Sequence, residues 1–230
     1  MTDKITDWRT LNLQSLDILL CSGNGSMSRK IQWLQRLRGF KRPAADTSHA
    51  ATIVTMDDFS AFTLSVPADP LGLYVSETTT LNSWTVPPKK GLQINSFDEW
   101  LKNYNGKVWI RQVQFGRTEN FNRELIRYIF THLRDPKAQK YESGIPGLFE
   151  LLLCELGIKK AILETAELHC TEWVSELLRE FKILANVYSG NRLPPCEWWP
   201  HIRRRQHADD KRSLIDMQAL VKIDEPIRIK

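Results

Sequence analysis

Short apolar runs separated by polar turns occupy the first half of the chain, and apolar positions at three- and four-residue spacing dominate later segments. Leu16 to Leu20, interrupted only by Asp17 and followed by Cys-Ser-Gly-Asn-Gly-Ser, predicts a buried strand ending in a loop. From Ser28 to Leu37 the period becomes helical, with Ile31, Leu34 and Leu37 on one face and Trp33 adjacent, a face that suits either the core or an anionic interface. After Pro43, the segments Ala50–Thr55, Phe62–Val66 and Leu73–Ser76 are rich in β-branched and aromatic residues and predict an antiparallel meander. Ser96 and Glu99 have the spacing of a capping box, so a short helix is expected from there to about Tyr104, stopped by Asn105-Gly106.

Val108 to Val113 then alternates as a strand does, and Phe121, Leu125, Ile126, Ile129, Phe130 and Leu133 repeat at helical spacing up to Asp135-Pro136. Pro146 suits a first helical turn, and Leu148 to Leu156 predicts a core helix containing Cys154. A last helix is expected from Cys170, with Trp173, Val174, Leu177, Leu178 and Phe181 as its apolar stripe and Glu172, Glu176, Arg179 and Glu180 facing outward. Strands preceding the major helices predict an α+β domain over residues 1–190, with a basic, Pro- and Trp-containing extension over 191–230.

The 230 residues suffice for one buried core without disulfides or metals, and the 42% hydrophobic content with well-spread charge excludes wholesale disorder. The first residues contain no apolar signal core, and no apolar run approaches the roughly 20 residues that span a bilayer. A cytoplasmic or virion-associated protein is therefore expected. Cys21, Cys154, Cys170 and Cys196 form no C-x-x-C pair, which favours free thiols. The net charge of +5 is unevenly placed: no acid lies between Asp17 and Asp46, where Arg29, Lys30, Arg36, Arg38, Lys41 and Arg42 all fall. Arg203, Arg204 and Arg205 form a second basic run. Such stripes either attract anionic partners or serve as a solvated face.

Three residues could carry chemistry together. A cysteine opening a helix, as Cys170 is expected to do, has backbone N–H groups nearby that favour thiolate, although a buried thiol can equally be a small core side chain. His49 stands at the mouth of a strand, where an imidazole could exchange a proton with that thiol, and Glu77 on a later strand could hold the tautomer of His49. His169, Cys170, His49 and Cys196 could also be written as a zinc set, but no metal-ligand spacing supports it. His132 and His207 lie in charged surroundings and are expected to be solvated, and Cys21 is expected to be structural, although it could approach the site.

Leu16-Asp17-Ile-Leu-Leu-Cys-Ser-Gly followed by Ser48-His49-Ala-Ala-Thr-Ile-Val resembles the Gly-Asp-Leu stretch and Ser-His strand of the NlpC/P60-like papain superfamily. Glu77 falls where that superfamily's third polar residue stands. Cys170-Thr-Glu-Trp-Val-Ser-Glu-Leu resembles the cysteine helix of the circularly permuted branch, the YiiX/YebB-like cysteine hydrolases, in which this helix follows the sheet. The resemblance covers roughly residues 13 to 185, and departs at Leu16 and Ala51, where the family has glycine. It implies a permuted papain-like fold with an antiparallel sheet packed against the nucleophile helix. It further implies Cys170 as nucleophile, His49 as base and Glu77 as orienter, acting on an amide, ester or thioester without cofactor or metal.

The expected substrates are an acyl-lipid or intracellular conjugate, or a peptidoglycan peptide. Arg29, Lys30, Arg36 and Arg38 are candidates for contact with an anionic membrane or cell-wall polymer. A different class of function, a catalytically silent binding or structural protein, would use the same basic surface together with Trp198 and Trp199. The lack of interleaved aromatics or a recognised motif argues against nucleic acid as partner.

Overall fold

Residues 4–37, 39–56, 69–82, 89–135, 170–185, 198–199 and 219–230 are described in a computed structural model of the chain. Six strands form an antiparallel sheet: β1 (Ile18–Gly23), β2 (His49–Thr55), β3 (Leu73–Asn82), β4 (Lys89–Ser96), β5 (Gly106–Arg111) and, after a two-stranded pair of β6 (Val113–Gln114) with β7 (Lys222–Ile223), β8 (Ile227–Arg228). Their spatial order is β4-β3-β2-β1-β5-β8. Among the described residues the α-helices are α1 (Ser26–Leu37), α2 (Phe97–Asn103), α3 (Glu119–Leu133) and α4 (Cys170–Glu180). The fold is thus α+β around a mostly antiparallel sheet.

Alternate residues of the central strands supply two separate cores. Ile18 and Leu20 of β1, Ala50 and Val54 of β2 and Trp109 of β5 pack with Leu125 and Ile129 of α3 and with Trp173, Val174, Leu177 and Leu178 of α4. Leu19, Cys21, Ala51, Ile53, Val108 and Ile110 point the other way, toward Phe97, Trp100 and Leu101 of α2 and toward Trp8. Because both faces are covered, β1 is apolar at successive positions instead of alternating. Two features beyond residue 190 belong to this assembly: Trp198 and Trp199 are buried in the first core, and β8 pairs with β5. The two tryptophans therefore offer no surface to a partner.

Several local expectations are corrected. The Ser96/Glu99 capping box does not form: Ser96 Oγ donates to Asp69 Oδ2 at 2.7 Å, Asp98 N–H donates to the same oxygen at 3.3 Å, and Glu99 is exposed. Asp69, distant in sequence, thus replaces the local cap at the start of α2. Helix α1 docks through Gln32, Leu34 and Gln35, whereas Trp33 and Leu37 are exposed. The amide Nε2 of Gln35 donates to Thr47 O at 2.6 Å and Ala45 O at 3.2 Å, and Nε2 of Gln32 donates to Gly23 O at 3.0 Å. Hydrogen bonds to loop carbonyls, invisible to a hydrophobic pattern, fix which face is buried. The Phe62–Val66 strand and the Leu148–Leu156 helix lie outside the described residues.

Leu16 adopts φ +69°, the left-handed backbone region where glycine is at ease, at the position where the resembled motif carries glycine. The strain of order 1–2 kcal/mol is offset by complete burial of its side chain in the core.

Candidate functional site

Strand register brings His49 and Glu77 together. Thr52 pairs with Ser76, so one further step sets Glu77 opposite Ala51 and leaves His49 diagonally across on the same side of the sheet. Nε2 of His49 lies 2.7 Å from Glu77 Oε2, with 15% of the His49 side chain and 4% of the Glu77 side chain exposed. Glu77 is mid-strand, opposite Gln93 of β4, because β3 runs on to Asn82, past the Ser76 limit expected from the sequence. Its other oxygen, Oε1, accepts from Trp100 Nε1 at 3.0 Å and from Asn95 Nδ2 at 3.4 Å. Both carboxylate oxygens are thereby committed, which fixes the plane in which the imidazole is held.

Cys170 is the first residue of α4, and its sulfur is hydrogen-bonded to His49 and accepts from the backbone N–H groups of Ala50 and Thr171. Since Nε2 of His49 faces Glu77, Nδ1 is the nitrogen left for the sulfur. Helix α4 is seated on β2 and β3. Trp173, one turn along, donates from Nε1 to Ser76 Oγ at 2.9 Å and so pins the start of the helix to the strand carrying Glu77.

The electrostatics of the pair are reciprocal. Burial opposes ionisation of Cys170, but the charge and hydrogen bond of His49, followed by the Ala50 and Thr171 amides, hold the thiol below its ordinary value. Burial likewise opposes a charged His49. The field and hydrogen bond of Cys170, then those of Glu77, outweigh it and push the imidazole up to about 10. Both shifts favour a thiolate beside an imidazolium.

Two groups at the site were not singled out by sequence. Trp100 and Tyr104, one turn apart, pack with ring centroids 4.9 Å apart and their planes tilted by 31°, and the Tyr104 hydroxyl is hydrogen-bonded to Cys21. Their shared side of the predicted helix was the available signal. Cys21 pairs in register with His49. Its thiol is pushed well up by burial, then by the charges of Glu77 and Cys170, against the Tyr104 hydrogen bond. Cys21 and Cys170 therefore differ in opposite directions.

His132 is part-buried rather than freely solvated: its Nδ1 lies 3.0 Å from Tyr128 O, and its Nε2 3.4 Å from Glu176. His169, His207, Cys154 and Cys196 lie outside the described residues. Among the described residues no group of three or more His, Cys, Asp or Glu could hold a metal ion. No described helix is long and apolar enough to cross a membrane.

Neither a family model nor a curated protein matches the chain. Among solved structures, the chain is similar to the metalloprotein yiiX of Escherichia coli O157:H7, with a TM-score of 0.43 and 15% identity over 74% of this chain and 67% of that one.

Proposed function

We propose that the protein is a cysteine hydrolase or acyltransferase with a circularly permuted papain-like domain of the NlpC/P60-like type. The observation that carries this reading is the contiguous set of Cys170 at a helix start, His49 against its sulfur and Glu77 at 2.7 Å from the far ring nitrogen. The nucleophile, its proton acceptor and the group that orients the acceptor are each in hydrogen-bonding reach of the next. The motif order His49, Glu77, Cys170 supports the permuted assignment.

In the proposed reaction the Cys170 thiolate attacks the carbonyl carbon of an amide, ester or thioester, forming a carbon–sulfur bond and an oxyanion. Collapse of this intermediate breaks the bond to the leaving group, which takes its proton from the His49 imidazolium. Neutral His49 then removes a proton from water, or from an acceptor nucleophile, as that molecule attacks the thioester and frees Cys170. The backbone N–H of Cys170 and a neighbouring donor are assigned to the oxyanion. Neither step calls on a cofactor.

The substrate is an acyl-lipid or intracellular conjugate, or a peptidoglycan peptide. Incubation with anionic acyl-lipid vesicles and, separately, with peptidoglycan fragments should give products by mass spectrometry from one of the two. Cys170→Ala should abolish them. Product formation unchanged in Cys170→Ala would refute the assignment.

A further inference from the structure

Helix α1 is built the wrong way round for a helix that serves only the core. Its buried side holds two glutamines and one leucine, Gln32, Leu34 and Gln35. Its outer side holds Trp33, 58% exposed, and Leu37, 62% exposed, one turn apart. At about 100° per residue, Arg29, Lys30 and Arg36 fall on the same side as these two. Trp33 and Leu37 are two of only five large hydrophobic side chains exposed among the described residues. Scattered exposed apolar residues are ordinary, but an adjacent tryptophan and leucine framed by cations are not a solvated face.

The charge around them has one sign. Arg29, Lys30, Lys41 and Arg42 are exposed, and the nearby acid Asp46 is engaged by Arg36 at 2.5 Å and by Arg42 at 3.3 Å. Arg38 lies outside the described residues. The helix is also tied rigidly to the strand ends beside the site. Gln32 bonds Gly23 O, Gln35 bonds Thr47 O, and Gly23 N–H donates to Ser48 Oγ, the residue before His49, at 3.1 Å.

We infer that the outer face of α1 docks the protein on an anionic phospholipid surface, Trp33 and Leu37 entering the headgroup region and Arg29 and Lys30 meeting lipid phosphates and carboxylates. Tryptophan suits that boundary because its ring is apolar and its N–H is polar, and cations beside it gain from the negative surface potential. The anchoring of α1 then holds the His49 end of β2 close to the membrane plane. This docking does not depend on the chemistry proposed for Cys170.

The test is co-sedimentation of the full chain carrying Cys170→Ala, so that turnover plays no part. Vesicles of phosphatidylcholine alone are compared with phosphatidylcholine containing phosphatidylserine. Binding is expected only to the phosphatidylserine vesicles. It should weaken about tenfold or more in Arg29→Glu/Lys30→Glu and by a similar factor in Trp33→Ser/Leu37→Ser. All four side chains are on the surface, so urea midpoints should match the parent and certify the fold. Lack of binding to phosphatidylserine vesicles would overturn the inference. So would binding that falls with the charge reversals but ignores Trp33→Ser/Leu37→Ser, which is the behaviour of a polycation attracted to any acidic polymer.

Discussion

The residue that most constrains the site after Cys170, His49 and Glu77 is Trp100. Its indole N–H occupies Glu77 Oε1 while His49 occupies Oε2, so the carboxylate cannot rotate away from the ring without breaking a buried hydrogen bond. Trp100 is fully buried, and on the proposed reading it would be a positioning residue that acts through Glu77. A hydrogen bond to a charged group contributes about 1.5–3 kcal/mol, so Trp100→Phe should lower turnover roughly tenfold or more with little change in KM. It should also bring the His49 pKa down from about 10, measured by NMR titration of the ring. An unmoved His49 titration would reduce Trp100 to packing. Residue type and placement made His49, Glu77 and Cys170 possible candidates, and the resemblance to the NlpC/P60-like motifs joined them into one set. Sequence could not reveal Trp100, whose role depends on α2 lying across the face of the sheet that carries Glu77.

At the scale of elements, the end of β1 opposite His49 is organised by a buried ion pair. Asp17 Oδ1 lies 3.0 Å from Arg117 Nη2, with 2% and 7% of the side chains exposed, and Asp17 also accepts from the backbone N–H groups of Val113 and Gln14. Burial raises the Asp17 carboxyl to about 6; the two amides and then Arg117 oppose the rise, and Asp224 adds to it. A carboxyl whose folded pKa lies above its unfolded value of about 3.9 binds its proton more tightly when folded. Its contribution to stability is therefore full below about pH 4 and declines as pH rises to about 6. Arg117→Gln removes the compensating charge and should destabilise by roughly 3–5 kcal/mol at pH 8, as expected when one partner of a buried pair is lost. The loss should be distinctly smaller at pH 5, where Asp17 can take up a proton. Urea denaturation at the two pH values checks this, and an equal loss at both would show that the arginine acts by packing and its hydrogen bonds to Ser15 and Gln14 alone.

Element types were more legible than their contacts. The periodicity of β2, β5, α3 and α4 is plain in the chain, since each has one apolar stripe or run with a clear stop. The docking of α1 was left open by the sequence because its buried side combines Leu34 with glutamine amides bonded to Gly23, Ala45 and Thr47 carbonyls. The cap of α2 was misread because Asp69 supplies it from outside the local sequence. Both have one cause: a polar group satisfied by a distant partner leaves no trace in a local pattern.

Across the whole molecule, the candidate site sits where two independent packing decisions meet. The register of β2 on β3 brings Glu77 to His49, and the seating of α4 on those strands brings Cys170 to the same imidazole. Residues far apart in the chain thus converge without any of them lying in a flexible connection, as pre-organised chemistry requires. The buried Trp198 and Trp199, with β8 on β5, tie the last part of the chain into the same body. Trp199 donates from Nε1 to Thr47 Oγ1 at 2.6 Å, two residues before His49.

The central claim is that Cys170 is a thiolate nucleophile sustained by His49, and the pH dependence of its alkylation tests this most directly. Limiting iodoacetamide, with peptide mapping by mass spectrometry, should label Cys170 before Cys21, because the Cys170 thiol is held down and the Cys21 thiol is pushed up. The Cys170 rate should reach its plateau below the ordinary thiol value of about 8.5. His49→Asn should move that inflection upward and slow labelling at neutral pH. Labelling of Cys170 no faster than Cys21, or an inflection unmoved by His49→Asn in folded protein, would contradict the assignment.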